Sequence, residues 1–209
     1  MPTDQSGKIV IVSSPSGGGK TTICRELISP ERVTQGWRFS ISYTTRQPRT
    51  NESDGREYCF VDDARFDALV GQGFFAEHFK VHLYKYGTPR GPLEEVLRQG
   101  GVMLLDIDVQ GAQRIKEEFP QAISVFVLPP SPEELGHRLK KRGTETDEQM
   151  QLRLHNAIRE MQTFASFGFE YVVINKDINT AVNQVLSIVE AHGCRLDKQE
   201  PEQLRKITG

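Results

Sequence analysis

Cysteine is scarce: Cys24, Cys59 and Cys194 are the whole complement of a 209-residue chain. They are odd in number, far apart and outside any C-x-x-C spacing, which excludes a disulfide framework and a zinc knuckle and leaves them as small core residues. Long apolar runs are missing too, and no stretch approaches the roughly 18 consecutive apolar residues that span a bilayer. Residues Met1 to Gly7 are polar and run straight into an apolar segment, without the basic, apolar and cleavage-site series of a secretory signal. A cytoplasmic location without a membrane partner is the expectation. Neither charge is in excess: 26 Lys and Arg against 28 Asp and Glu give a formal net charge of -2. No nucleic-acid partner is expected on that balance, and any anion site has to be assembled locally. With 37% hydrophobic and 26% charged residues the chain is neither collagen-like nor largely disordered, and it can bury one generous core.

What is present is an alternation. Lys8 to Ser13, Val102 to Asp106, Ala122 to Leu128 and Tyr171 to Ile174 are short apolar runs of the kind buried on both faces of a parallel sheet. Segments with helical spacing separate them. These are Thr21 to Leu27, stopped by Pro30; Pro92 to Gln99; Gly111 to Phe119; a helix opened by a capping box at Ser131 to Glu134; Glu148 to Phe164; and Thr180 to Ala191. The order predicts an α/β fold, a parallel sheet with flanking helices. From about Trp37 to Thr88 the texture turns polar, aromatic and alternating, with Phe79 to Tyr86 reading as a period-two strand. This predicts an inserted antiparallel subdomain, with a turn at Thr50 to Gly55 and a short helix over Asp62 to Gly71. The tail beyond His192 is polar and broken by Pro201.

The chemistry concentrates in a few segments. Ser14-Pro15-Ser16-Gly17-Gly18-Gly19-Lys20-Thr21 follows the phosphate-loop pattern G-x-x-x-x-G-K-[ST], with Ser14 in place of the first glycine. Consecutive glycines let backbone N–H groups converge on phosphate oxygens, the following helix adds its positive end, Lys20 adds a point charge, and the Thr21 hydroxyl can ligate Mg2+. Val102 to Asp106 looks like the second nucleotide-binding element, a strand ending in a carboxylate that holds Mg2+ through water. Asp108, two residues on, points to the same side. Ser42, Arg46 and Arg49 offer a hydroxyl and forked donors suited to a phosphate dianion. Arg138 and Arg142 share a helix face and, with Arg153, flank Gly143 to Thr146, a hinged segment able to bring charge over a transferring phosphoryl group. His78 and His82 have the spacing of a zinc helix. On a period-two strand they would lie roughly 13 Å apart, and no Glu follows the first, so no histidine metal site is expected.

These pieces, taken in order, resemble the bacterial guanylate kinase family over nearly the whole length. The matching runs are Ser14 to Thr21, Ser40 to Arg49, Gly55-Arg-Glu-Tyr58, Tyr86-Gly-Thr88, Leu105 to Gly111 and Arg142-Gly-Thr-Glu-Thr146. The resemblance implies the phosphate-loop nucleoside monophosphate kinase fold: a core over about 1–36, 89–130 and 166–193, an antiparallel GMP-binding insert over 37–88, a small helical lid over 131–165 and a tail over 194–209. It implies phosphorylation of GMP to GDP by ATP, by direct in-line transfer, with Mg2+ as cofactor at Thr21 and Asp106. By position, Ser42, Arg46, Arg49, Tyr58 and Tyr86 would bind the GMP phosphate, and Glu77, Thr88 and Asp108 would face the guanine. The loop from Ser14 to Thr21, with Thr22 and Asn175, would hold ATP. Lys20, Arg138, Arg142 and Arg153 would serve the phosphoryl group in flight. Two other readings share the fold: a kinase for another small phosphate, such as a ribose bisphosphate, and a protein-binding module like those of membrane-associated adaptors. Glu77 with Thr88 favours guanine over a sugar, because one carboxylate can accept from both N1–H and the N2 amino group while a hydroxyl serves O6. Intact Lys20 and Thr21 favour an enzyme.

Overall fold

Strand β1 (Lys8–Ser13) sits at the centre of the core because its side chains alternate between two apolar layers. Val10 and Val12 enter one cluster, Ile9 and Ile11 the other. The computed structural model that shows this describes residues 7–49, 52–81, 83–141 and 147–195. Helix α1 (Lys20–Leu27) follows β1, and Pro30 opens a second short helix, α2 (Pro30–Thr34), capped by the Ser29 side chain. Strands β2 (Trp37–Phe39), β7 (Val102–Asp106), β8 (Ile123–Leu128) and β9 (Tyr171–Ile174) complete a parallel sheet in the order β2-β7-β1-β8-β9. One face is covered by α1 and α8 (Ile178–Gly193) through Ile23, Leu27, Val182 and Val185. The other is covered by α4 (Arg90–Arg98) and α5 (Val109–Glu118) through Leu93, Val96, Ala112 and Ile115. Carboxylates start two of these helices, α5 and α8: Asp108 accepts from Gly111 N–H at 2.9 Å and Asp177 from Thr180 N–H at 2.8 Å, satisfying first-turn donors.

The insert carries its own four-stranded sheet in the order β4-β3-β6-β5, built from β3 (Tyr43–Thr44), β4 (Cys59–Phe60), β5 (Phe75–Val81) and β6 (Tyr84–Pro89). Its pairings with β6 are antiparallel, and the two-residue β3–β4 pairing runs parallel. Helix α3 (Asp63–Gly71) closes it over Phe66, Leu69 and Phe75. The segment expected to be a lid holds the helix pair α6 (Pro132–Lys141) and α7 (Asp147–Thr163), followed by a 3-10 turn at Phe164–Phe167. No helix among the described residues is long and apolar enough to cross a membrane.

Three sequence expectations change. Trp37–Phe39 pairs with β7, so it belongs to the core sheet and not to the insert. The run from Phe79 to Tyr86 is a hairpin rather than one strand, with β5 ending at Val81 and β6 starting at Tyr84. Only Cys24 is a core residue; Cys59 is half-buried and Cys194 exposed. Thr50, His82 and residues 196–209 of the tail lie outside the described residues.

The centre of the sheet should be the least forgiving region. Leu104, fully buried on β7, should cost about 2–5 kcal/mol when replaced by Ala, from lost transfer energy and the cavity left behind. Urea denaturation measures it, and a loss below about 1 kcal/mol would show that the core collapses around the gap.

Candidate functional site

The phosphate loop spans the turn from β1 into α1, and its glycines are placed where side chains do not fit. Gly19 has φ 97, and a Cβ there would lie 2.3 Å from the Asn175 amide nitrogen. That amide donates to the Gly18 carbonyl at 3.1 Å, and Gly18 N–H donates to the Pro15 carbonyl at 2.9 Å. Ser14 is buried, with its hydroxyl donating to the same Pro15 carbonyl at 2.9 Å. It fills the space beside Gly18, where any Cβ would lie 2.8 Å from the Ser14 Cβ. A serine at the head of the loop is therefore matched by the glycine four residues on.

Strand β7 delivers the carboxylate. Val12 and Asp106 are register partners, so Asp106 emerges beside the loop at the carboxyl end of the sheet. Its Oδ1 lies 2.8 Å from Lys20 Nζ, and its Oδ2 accepts from the Thr21 hydroxyl at 2.7 Å. Burial works against the Lys20 ammonium, but the neighbouring Asp106 more than offsets it, so the amine is held above the ordinary lysine range. Thr22 is exposed on the first turn of α1. Asp108 acts as the N-cap of α5; burial raises its carboxyl, opposed by the Gly111 N–H and Lys20.

The insert brings two groups to this edge. In the first, the Arg46 guanidinium lies 5.4 Å from the Tyr58 ring centroid and pairs with Glu52 at 2.9 Å, and Tyr58 and Tyr86 meet edge to face at 6.1 Å. Ser42 is buried, and the Arg49 side chain is exposed beside Glu52. In the second, Glu77 and Thr88 face each other across β5 and β6, and the Thr88 hydroxyl donates to Glu77 Oε1 at 2.5 Å. Glu77 is 4% exposed, and its Oε2 has no hydrogen-bond partner among the described residues. Burial pushes its carboxyl up to about 7, with Thr88 opposing and Asp108 reinforcing. From the lid, Arg138 Nη2 donates to the Asn175 carbonyl at 3.0 Å. Arg142 and the side chain of Arg153 lie outside the described residues. The sequence reading missed Glu52, whose carboxylate takes the Arg46 guanidinium at 2.9 Å and the Arg49 N–H at 2.9 Å. Its only sequence signal is a carboxylate three and six residues after the arginines.

A loop of this build grips a nucleotide's phosphates, and an insert with an arginine–tyrosine cluster suits a second, smaller phosphate. Together they are the plan of the phosphate-loop nucleoside monophosphate kinases. The guanylate kinase family model matches residues 6–192. The guanylate kinase of Caldanaerobacter subterraneus subsp. tengcongensis is 40% identical over 200 residues, covering 96% of this chain and 95% of that one. That of Aromatoleum aromaticum is 43% identical over 199 residues, covering 95% of each. The crystal structure of guanylate kinase from Anaplasma phagocytophilum superposes with a TM-score of 0.76 at 30% identity, over 96% of this chain and 93% of that one. The chain belongs to the guanylate kinase family, enzymes that phosphorylate GMP to GDP at the expense of ATP.

Glu77 should leave a signature in stability. Its folded carboxyl stands at about 7 against an ordinary 4.5, so the folded state holds the proton more tightly than the unfolded chain. The sign follows: this contribution is full below pH 4.5 and is lost as pH rises toward 7. Between those limits wild type should lose up to about 3 kcal/mol relative to Glu77→Gln. Urea denaturation across that range tests this, and parallel pH profiles would refute it.

Proposed function

We propose that the site transfers the γ-phosphoryl group of ATP directly, in line, to the phosphate of GMP, and that the buried Glu77–Thr88 pair reads the acceptor base. The observation that carries the reading is the buried Glu77 Oε2 without a partner among the described residues, beside a hydroxyl that can turn to a new acceptor. Guanine supplies two adjacent N–H donors for the carboxylate and O6 for the Thr88 hydroxyl. Adenine supplies neither and would leave a buried carboxylate unpaired, a penalty far larger than apolar shape alone can impose. Asp108, within electrostatic reach of Glu77, completes the guanine end.

Ser42, Arg46, Arg49, Tyr58 and Tyr86 are the proposed ligands of the GMP phosphate. Glu52 keeps the two guanidinium groups paired until the dianion replaces it. Ser14 to Thr22 are the proposed ATP phosphate site, with Asn175 bracing the loop through Gly18. The acceptor oxygen is already anionic near neutral pH, so no protein base is needed; positioning and charge neutralisation by Lys20, Arg138, Arg142 and Arg153 carry the rate. The Thr21 hydroxyl and the Asp106 carboxylate, 2.7 Å apart, form a hard oxygen pair that fits Mg2+. Mg2+ keeps several waters and binds through one or two carboxylates plus substrate phosphates, so this pair is enough on the protein side. Bound there, Mg2+ would neutralise phosphate charge. The insert and lid, reaching in from two sides, would exclude water that could otherwise hydrolyse ATP. A cytoplasmic setting suits these substrates.

Lys20→Ala should abolish turnover in a protein that still folds, with a lowered melting temperature because Asp106 loses its counterion, and activity within a few-fold of wild type would remove the loop from the mechanism. Glu77→Gln should lower kcat/KM for GMP by at least about 10²-fold with KM for ATP nearly unchanged. Undiminished preference for GMP over AMP would assign base reading elsewhere.

A further inference from the structure

The face of the β5–β6 hairpin that carries Glu77 and Thr88 carries a second cross-strand pair, Phe79 and Tyr86, next to the first in register. Side chains alternate along a strand, so Glu77 and Phe79 stand on one face of β5, and Tyr86 and Thr88 on one face of β6. The insert's own core lies on the opposite face. A Cβ on Gly87, between Tyr86 and Thr88, would meet the Phe75 ring at 2.8 Å, and Phe75 packs there with Phe66 and Leu69. Phe79 therefore points away from that core. Its ring stacks on Tyr86, with centroids 6.1 Å apart and planes 20° apart, and Tyr86 in turn meets Tyr58 edge to face.

The edge of the Phe79 ring is seated on helix α5. A Cβ on Gly111 would lie 2.9 Å from Phe79 Cε1 and 3.4 Å from Phe79 Cζ. Gly111 is buried in the first turn of α5, where its N–H is held by Asp108. A glycine inside a helix costs stability relative to alanine, and here the missing Cβ leaves the space that the ring occupies. The ring thus abuts helix backbone, which cannot turn aside as a flexible side chain can. With an edge on α5 and a face on Tyr86, Phe79 is a wedge between the main domain and the insert. A flat ring held in this way restricts the plane of the ring stacked on it. A line of contacts then runs from Gly111 through Phe79, Tyr86 and Tyr58 to the Arg46 guanidinium.

We propose that Phe79 is a positioning residue which, seated on Gly111 of α5, sets the plane of the Tyr86 ring and so the place of the Tyr86 hydroxyl for the acceptor's phosphate. This rests on the reading of Tyr86 as a ligand of the GMP phosphate. The role needs a flat ring rather than apolar volume alone, and it needs a residue without a side chain beneath that ring.

Steady-state kinetics with ATP and GMP on Phe79→Leu, Gly111→Ala, Tyr86→Phe and the Phe79→Leu/Tyr86→Phe double variant test it. Leu keeps apolar bulk but has no flat face, and Phe79→Met stands in if Leu disturbs the melting temperature. Phe79→Leu should raise KM for GMP by about fivefold or more, while kcat and KM for ATP stay within about threefold. Gly111→Ala should raise KM for GMP in the same way by pushing the ring off its seat, although alanine is the better helix residue. Tyr86→Phe keeps the ring and removes the hydroxyl. The double variant should show a KM for GMP no more than about twofold above that of Tyr86→Phe, because both changes remove one function. Wild-type KM for GMP in Phe79→Leu or in Gly111→Ala, a KM for ATP that rises as much, or additive losses in the double variant would each overturn the proposal. Wild-type KM for GMP in Tyr86→Phe would overturn the Tyr86 reading and this proposal together; a raised KM there beside an unchanged Phe79→Leu overturns this proposal alone.

Discussion

Lys20 and Asp106 bind the glycine-rich loop and the end of β7 into one object. The lysine heads α1 and the aspartate ends β7, and their 2.8 Å ion pair, with the Thr21 hydroxyl on the other carboxylate oxygen, requires that β1 and β7 be neighbours in the register Val12 to Asp106. A partly buried pair of this kind is not a large net source of stability, since desolvation offsets much of the attraction. It specifies geometry instead. Much else is arranged around it: a parallel sheet that ends its strands at one edge, glycines that clear the loop's backbone, and Asn175 at the end of β9, held to the loop from the far side.

The pair Glu77–Thr88 obeys a different constraint. A buried carboxylate is expensive, and Glu77 is kept by one cross-strand hydroxyl while its other oxygen is unmatched among the described residues. Strand β5, which carries it, is anchored from two sides: Phe75 joins Phe66 and Leu69 in the insert's own apolar core, and Ala76 packs against the cluster beneath the main sheet. The cluster around Arg46 is less demanding. Arg46 already has Glu52 as a counterion and Tyr58 under its guanidinium, so its charge is compensated before any substrate arrives.

Much of this was legible in the sequence, for identifiable reasons. Four apolar runs with helical segments between them forecast the parallel sheet, since strands buried on both faces need no alternation and so stand out. The run from Ser14 to Thr21 was readable because a phosphate loop is a local object, set by consecutive residues. Strand β2 was not readable: three residues, Trp37-Arg-Phe39, carry no period, and what makes them a strand is β7, far along the chain. Glu52 looked like one more charge in a polar turn, because its pairing depends on how the loop folds back. Local chemistry was visible; contacts made by bringing distant segments together were not.

The account stands or falls on the acceptor. ADP release by the purified chain, followed with GMP, AMP, CMP and ribose phosphates as acceptors under identical ATP, measures it directly. A buried Glu77–Thr88 reader predicts kcat/KM for GMP at least about 10³-fold above that for AMP, with ribose phosphates inert. Comparable ADP release with AMP or a ribose phosphate, or release that ignores the acceptor, would contradict it.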